Sequence, residues 1–448
     1  MANLYDIAYA TGVTLAAPIW LARAKSRHKV LDALRTRMGR ALPAVESSDA
    51  CVLIHAVSVG EINATRALID RLQQARRDLR FIVTVTTATG FDRGRQLYTA
   101  NPAVTLIRFP LDFTGAIRRV LDAYRPRVVV LMELEVWPNF MRQCMLRGID
   151  VMLANGRITE PSFNRYRWIG PVARTMFQRL AAVAAQDQLY AQRFADLGVP
   201  GDRLHVLGTM KFDNAQVVRS MLSGAAQLAD EVGLVPGRAP IWVAGSTGPG
   251  EEQIVLDVYR ALLKRFPRLR CVIVPRKPER FDDVARLIEQ NRFVCVRRSL
   301  NNPPPDPDPA VPPVVLGDTM GELRKFYSLA DVVFVGRSLV DLGPQQHGSD
   351  MIEPAALGKP VVVGPHTHNF AEAMLAFRRA DAILEADDAE VLEQSIRVLL
   401  HTPAEAAAMA QRAQRVVLQQ QGATDRHVML IEQLLDRRTV ATHTENGQ

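Results

Sequence analysis

Residues 317–370, GDTMGELRKFYSLADVVFVGRSLVDLGPQQHGSDMIEPAALGKPVVVGPHTHNF, decide how this chain folds. An apolar run at 314–316 leads into the stretch and a second lies inside it at 332–335. Each breaks into a glycine-rich loop. A short helical segment with Glu353, Pro354 and two alanines follows, and then a third apolar run at 361–363. Runs that are short, β-branched and apolar on both faces read as buried parallel strands. Strands ending in Gly, Ser, Asp and His just before a helix put polar groups at the carboxyl edge of such a sheet. Open α/β folds bind their ligands at that edge.

The same alternation extends in both directions. Upstream, apolar runs at 52–56, 81–86, 105–109, 128–132, 151–154, 181–185 and 204–207 are separated by helical stretches. A segment low in strand pattern, about 213–240, contains Gly224, Gly233, Pro236 and Gly237 and reads as a linker. Alternation resumes at 241–244, 271–274 and 294–296 before it reaches the opening stretch. Residues 301–313, NNPPPDPDPAVPP, read as a stiff surface loop. These readings predict an α/β protein with two Rossmann-like, doubly wound halves. Their expected bounds are 46–215 and 241–438, with a linker at 216–240 and a disordered tail at 439–448.

Length and charge fit a large enzyme. A chain of 448 residues provides ample core for two or three domains. The formal net charge is +8, and residues 1–40 hold +5 of it, with seven Lys/Arg against Asp6 and Asp32. Cys51, Cys144, Cys271 and Cys295 are scattered without a metal-binding spacing, so buried free thiols in a reducing compartment are expected. Residues 7–22 are mostly apolar but number about 16, short of the ~20 that span hydrocarbon. The positive charges follow this run, which argues against a signal peptide and would hold the cluster on the cytoplasmic side. Residues 1–45 are therefore expected to form an interfacial or single-span membrane segment. The alternative is an ordinary helix packed on the first domain.

Several blocks in a fixed order carry a family resemblance: VLIHAVSVGE (52–61), LMELEVWPN (131–139), LANGRIT (153–159) and HVLGTMKFD (205–213), then GSTGPGEE (245–252), PRKPER (275–280) and GDTMGEL (317–323). The Glu-Pro-Ala-Ala-Leu-Gly-Lys-Pro-Val run (353–361) resembles the sugar-nucleotide half of two-domain glycosyltransferases. Together, over about residues 50–375, the blocks resemble the 3-deoxy-D-manno-octulosonic acid (Kdo) transferases of lipopolysaccharide assembly. The resemblance implies the GT-B architecture, two such domains facing a cleft. It also implies inverting transfer of Kdo from CMP-Kdo to the lipid A precursor at the cytoplasmic face of the inner membrane. The expected partners are CMP-Kdo, the lipid acceptor and an anionic membrane surface, with no nucleic acid. A leaving group with one phosphate does not require a divalent metal, and Asp306 and Asp308 lie in a proline run, so neither metal nor cofactor is expected.

The resemblance also assigns residues. Glu61, in Ser58-Val59-Gly60-Glu61, is the implied catalytic base. A carboxylate in a helix's first turn is stabilised as the anion by unpaired amides; the alternative is that Glu61 only satisfies those donors. Gly60 lets the acceptor approach the backbone. Glu133 and Glu135 are candidate acceptor-site residues that alternate at a strand end, so that one faces the ligand edge, unless they cap the helix near Pro138. Trp137 reads as core. Asn155 and Arg157 could contact lipid phosphate or sugar, with the guanidinium better matched to phosphate. On the donor side, Ser246 and Thr247 precede a helix start suited to phosphate. Arg276 and Lys277 could pair with phosphate or the Kdo carboxylate. Gly317, Asp318, Thr319 and Met320 could receive cytosine, although Thr319 and Glu322 also fit a capping box. Glu353 is the implied ribose-binding glutamate, with His347 and Asp350 beside it.

Three positions depart from the family pattern. Gly248 stands where a histidine is frequent, Arg337 replaces a glycine, and Asp350 replaces an asparagine. Asp350 adds negative charge near an anionic donor unless Arg337 or Lys359 offsets it. These departures keep two rival readings open: a GT-B transferase or epimerase with another nucleotide sugar, and an inactive scaffold of that fold.

Overall fold

The computed structural model describes residues 5–7, 9–12, 14, 34–45, 50–218, 221–301, 312–343, 346 and 348–445. The described chain divides into two compact units, residues 1–214 with 422–448, and 215–421.

In the first unit, seven parallel strands run in the order β3-β2-β1-β4-β5-β6-β7. They are β1 (Ala50–Ala56), β2 (Leu79–Val85), β3 (Val104–Arg108), β4 (Val128–Met132), β5 (Asp150–Gly156), β6 (Ala182–Ala185) and β7 (Leu204–Val206). Successive side chains of β1 feed opposite cores. Cys51 and Leu53 pack with the helices Thr114–Tyr124 and Pro138–Leu146, whereas Val52 and Ile54 pack with Val59–Ala75. Strands apolar on both faces need such cover, which is why the sequence shows continuous rather than alternating apolar runs.

The second sheet is β8 (Ile241–Thr247), β9 (Arg270–Pro275), β10 (Cys295–Arg297), β11 (Val314–Leu316), β12 (Val332–Val335), β13 (Val361–Val363) and β14 (Leu384–Glu385). Its order is β10-β11-β9-β8-β12-β13-β14 and its pairs are parallel. All thirteen apolar runs of the sequence are strands; β14, two residues long, had no run to announce it. The order reverses between β1 and β4 in the first sheet and between β8 and β12 in the second, and these switch points are where α/β sheets receive ligands.

The boundaries correct the sequence reading in three places. Residues 216–240 belong to the second unit and include a helix, Ala225–Glu231. The second unit ends at Gln421, not at 438, because the last helix, Ala423–Glu445, returns to the first unit. There Ala423, Val428, Ile431, Leu434 and Leu435 join the core that covers one face of its sheet. That helix runs through most of the tail expected to be disordered.

Within the N-terminal segment, residues 5–7, 9–12 and 14 are helical and pack on the first unit. Asp6 accepts hydrogen bonds from Thr114 N (2.9 Å) and Asn139 Nδ2 (2.8 Å), and Tyr9 meets Phe113 edge-on. Arg37 donates Nε to Phe109 O at 3.0 Å, so one cation of the basic cluster is held by the fold. Most of the apolar run and Arg23 to Lys29 lie outside the described residues, as does most of the 301–313 loop. Among the described residues no helix is long and apolar enough to cross a membrane. Cys51, Cys144 and Cys271 are buried free thiols and Cys295 is half-buried.

Candidate active site

At the first switch point, β1 ends in VSVGE. Ser58 is the N-cap of the Val59–Ala75 helix and forms a capping box with Glu61. Glu61 N donates to Ser58 Oγ (3.3 Å), while the Glu61 carboxylate accepts from Val57 N (2.9 Å) and Ser58 N (3.1 Å). The first-turn donor role is thus real, but it leaves lone pairs on both oxygens. Glu61 is only 8% exposed. Burial pushes its carboxyl up to about 7, and the nearby charge of Glu133 adds to the effect. The expectation that the helix terminus keeps Glu61 a comfortable anion is therefore corrected, because desolvation outweighs the amides.

β4 ends at Met132, so the alternation expected of Glu133 and Glu135 stops before it applies. Glu133 instead adopts φ +57°, a left-handed conformation that non-glycine residues rarely hold. Its backbone is pinned by Glu133 N donating to Ala154 O (2.9 Å) and Arg157 N donating to Glu133 O (3.3 Å). Both Glu133 and Glu135 lie near enough to raise Glu61. Burial alone would raise Glu135, yet bonds from His55 and Trp137 outweigh it and hold this carboxylate below its ordinary value. Trp137 Nε1 donates to Glu135 at 2.9 Å, and His55 Nε2 lies 3.8 Å from it. Neither glutamate caps the Pro138 helix. Asp112 does, accepting from Asn139 N (3.1 Å) and Phe140 N (2.9 Å).

Asn155 is held by the fold through its side-chain oxygen and its backbone. Buried, with φ +52°, it accepts from Met210 N at 3.1 Å through its side-chain oxygen. Its backbone N donates to His427 Nε2 at 2.9 Å and its carbonyl accepts from Gln186 Nε2 at 2.8 Å. Since His427 Nε2 is an acceptor, the proton sits on Nδ1 and is donated to Ala423 O (2.7 Å). Burial pushes His427 down to about 4, which keeps it neutral. The returning helix thus buttresses the ligand edge of the first sheet. No local signal marks this histidine, which lies 272 residues from its partner. His55, at the centre of VLIHAVSVGE, was visible in the sequence as a polar interruption of an apolar strand.

At the second switch point, β8 ends in GSTGPGEE and β12 in Gly336-Arg337-Ser338. Glu251, fully buried, organises both. Its oxygens accept from Gly248 N (2.8 Å), Arg337 N (2.6 Å), Ser338 N (2.9 Å) and Leu339 N (2.9 Å). Thr247 Oγ1 donates to buried Glu252 (2.8 Å), which also binds Arg280 of PRKPER. The Thr247 hydroxyl is therefore spent within the fold. Ser246 is buried with φ +56°. Arg276 and Lys277 are exposed just past β9.

The GDTMGEL block is more structural than expected. Asp318 accepts from Arg297 Nε (2.7 Å), Ser299 N (2.8 Å) and Ser299 Oγ (2.6 Å). Thr319 Oγ1 donates to Glu322 at 2.6 Å. Met320 is 69% exposed, and Gly317 has no room for a Cβ beside Val274 (2.8 Å) and Phe326 (2.9 Å). Glu353 sits in a short helix, Ile352–Ala356. Burial pushes its carboxyl up to about 7, with Asp350 adding to the rise and Arg324 and Arg276 opposing it. Asp350 accepts from Ile352 N at 2.9 Å. Lys359 does not offset these acids, because it donates Nζ to Ala330 O (2.9 Å) at the other edge of the sheet. His347 lies outside the described residues.

A family model described as 3-deoxy-D-manno-octulosonic-acid transferase (kdotransferase) matches residues 32–214, and one described as glycosyl transferase-like matches 316–436. The 3-deoxy-D-manno-octulosonic acid transferase of Haemophilus influenzae is 35% identical over 86% of this chain and 87% of its own length. The chain belongs to the Kdo transferase family. The transferase of that name from Bordetella pertussis is 34% identical over 86% of this Kdo transferase and 87% of its own length. A glycosyltransferase structure from Rickettsia africae shares its fold, with a TM-score of 0.57 at 14% identity over 87% of this chain and 99% of that one. The two-sheet GT-B fold and membership of a glycosyltransferase family are thereby settled.

Proposed function

We propose that this enzyme moves Kdo, with inversion, from CMP-Kdo to a hydroxyl of the lipid A precursor (lipid IVA) in lipopolysaccharide core biosynthesis. The observation that carries the reading is Glu61 among Glu133 and Glu135 at the switch point of the first sheet, with its carboxyl poised at about 7. A general base works best when its pKa lies near the working pH. As the bond from the anomeric carbon to the phosphate oxygen breaks and the acceptor oxygen bonds to that carbon, the hydroxyl proton passes to Glu61 and CMP leaves. A single phosphate, with Arg276 at the donor site, needs no metal in this reading. Purified protein given CMP-Kdo and a tetraacyl lipid A precursor should release CMP in step with Kdo-bearing lipid. CMP release without modified lipid, or transfer from a UDP-sugar instead, would overturn the proposal.

Glu353 serves the ribose of the donor in this reading. Glu353→Ala should weaken CMP about ten- to a hundredfold, the range of a lost hydrogen bond to a charged group. Calorimetric titration of a folded variant with unchanged CMP affinity would leave Glu353 a helix residue only.

The acceptor is a lipid, and the enzyme is placed at the cytoplasmic face of the inner membrane through its basic N-terminal segment. Each basic residue near an anionic leaflet adds about 1 kcal/mol. Changing Arg23, Lys25, Arg27 and Lys29 together to Gln should abolish co-flotation with anionic vesicles at physiological salt. Co-flotation unaffected by the four changes, or none by the parent protein, would refute the electrostatic part of this placement.

A further inference from the structure

Arg337 combines three unfavourable features at the end of β12. Its backbone has φ +58°, a left-handed conformation that strains an ordinary residue. Among the described residues its buried Nε has no hydrogen-bond partner and its guanidinium forms no ion pair. Its strongest charged neighbour is another cation, Arg276, at the end of β9, while the carboxylate of adjacent Glu251 is already occupied by four backbone amides. Local strain of this kind persists where surrounding structure and function require it.

Gly248 explains how the side chain fits. A Cβ at position 248 would come within 2.5 Å of Leu342 Cδ1 and 3.0 Å of Arg337 Cγ. Leu342 and the Arg337 stem together therefore fill the space that a side chain at 248 would need. Gly336, whose Cβ would lie 2.6 Å from Thr247 Cα, lets the two strand ends approach so closely. The departures at 248 and 337 are one arrangement, which delivers a second guanidinium to the switch point of the donor sheet.

Building on the donor reading above, we propose that Arg337 and Arg276 form an anion clamp for the phosphate of the donor nucleotide, with Gly248 as the position that makes room for it. A planar fork of donors suits phosphate oxygens, and an anion would relieve both the unpaired Nε and the repulsion between the two cations.

Calorimetric titration of the full chain with CMP and with cytidine tests the clamp. Arg337→Gln is expected to weaken CMP about ten- to a hundredfold while leaving cytidine affinity unchanged, because charge-assisted contacts to phosphate are lost and base and sugar contacts are kept. Arg337→Lys should recover part of the loss. Arg337→Gly should lose CMP as Arg337→Gln does yet melt at a higher temperature, since it relieves the left-handed strain. Retained cytidine binding certifies the donor site in each variant. If the parent protein prefers CMP to cytidine and all three variants keep that preference, the clamp is wrong and the donor reading stands. If the parent binds neither ligand, both fall.

Discussion

Glu61→Gln is expected to lower the rate of Kdo transfer by a factor on the order of 10²–10⁴, the usual contribution of a positioned general base. CMP affinity should not change, because the proposed donor residues belong to the other compact unit. The variant should also fold. Gln is accepted at the third position of a capping box, and it keeps one of the two oxygens that receive Val57 N and Ser58 N. A pH profile adds a second readout. The base must be unprotonated, so transfer by the parent should rise as pH passes through about 7, where burial and Glu133 have placed the carboxyl. Glu133→Gln removes one of the charges that raise it and should move this acid limb to lower pH. Glu61→Gln transferring within about threefold of the parent would exclude Glu61 as the base. An acid limb that Glu133→Gln leaves in place would separate the two carboxylates.

The sequence exposed what depends on local pattern. Thirteen of the fourteen strands among the described residues were legible because a buried parallel strand must be apolar on both faces, and that needs no knowledge of its neighbours. The placing of Glu61 in a helix's first turn, where it satisfies backbone donors, was equally local. What escaped depends on contacts distant in sequence. The last helix reads as the end of the second half, yet its apolar face completes the core of the first unit, and only the fold brings His427 to Asn155. Polar residues at strand ends were legible as a group but not one by one. Asp318 and Thr247 spend their side chains on the protein itself, as Asn155 does its side-chain oxygen, whereas Glu61, Glu133, Arg276 and Arg337 keep chemistry to offer. A motif marks where a switch point lies; only hydrogen-bond accounting separates its scaffold from its ligand-facing groups.

The largest loss of stability is expected at Glu251. Read as one of two acids opening a helix, it suggests a modest favourable interaction with the helix terminus, typically 0.3–1 kcal/mol. The structure instead gives it four backbone N–H groups drawn from two loops, with no exposure to water. Glu251→Ala would leave those donors buried and unpaired and open a cavity beneath the loop that carries Arg337. Each stranded donor costs about 1–3 kcal/mol, and partial entry of water should bring the total to roughly 3–5 kcal/mol. Against folding stabilities of about 5–15 kcal/mol that is a large share, equivalent to a fall in melting temperature on the order of 10 °C for a unit of this size. Glu251→Gln should lie between, since its remaining oxygen can still serve Ser338 and Leu339 while its amide confronts Gly248 N and Arg337 N. Both substitutions should weaken CMP alongside stability, because the loop they release is the one that holds Arg337 in place. Glu251→Ala melting within about a degree of the parent, followed by calorimetry or circular dichroism, would mean that the loop is held by other contacts, and the anion clamp would lose its physical support.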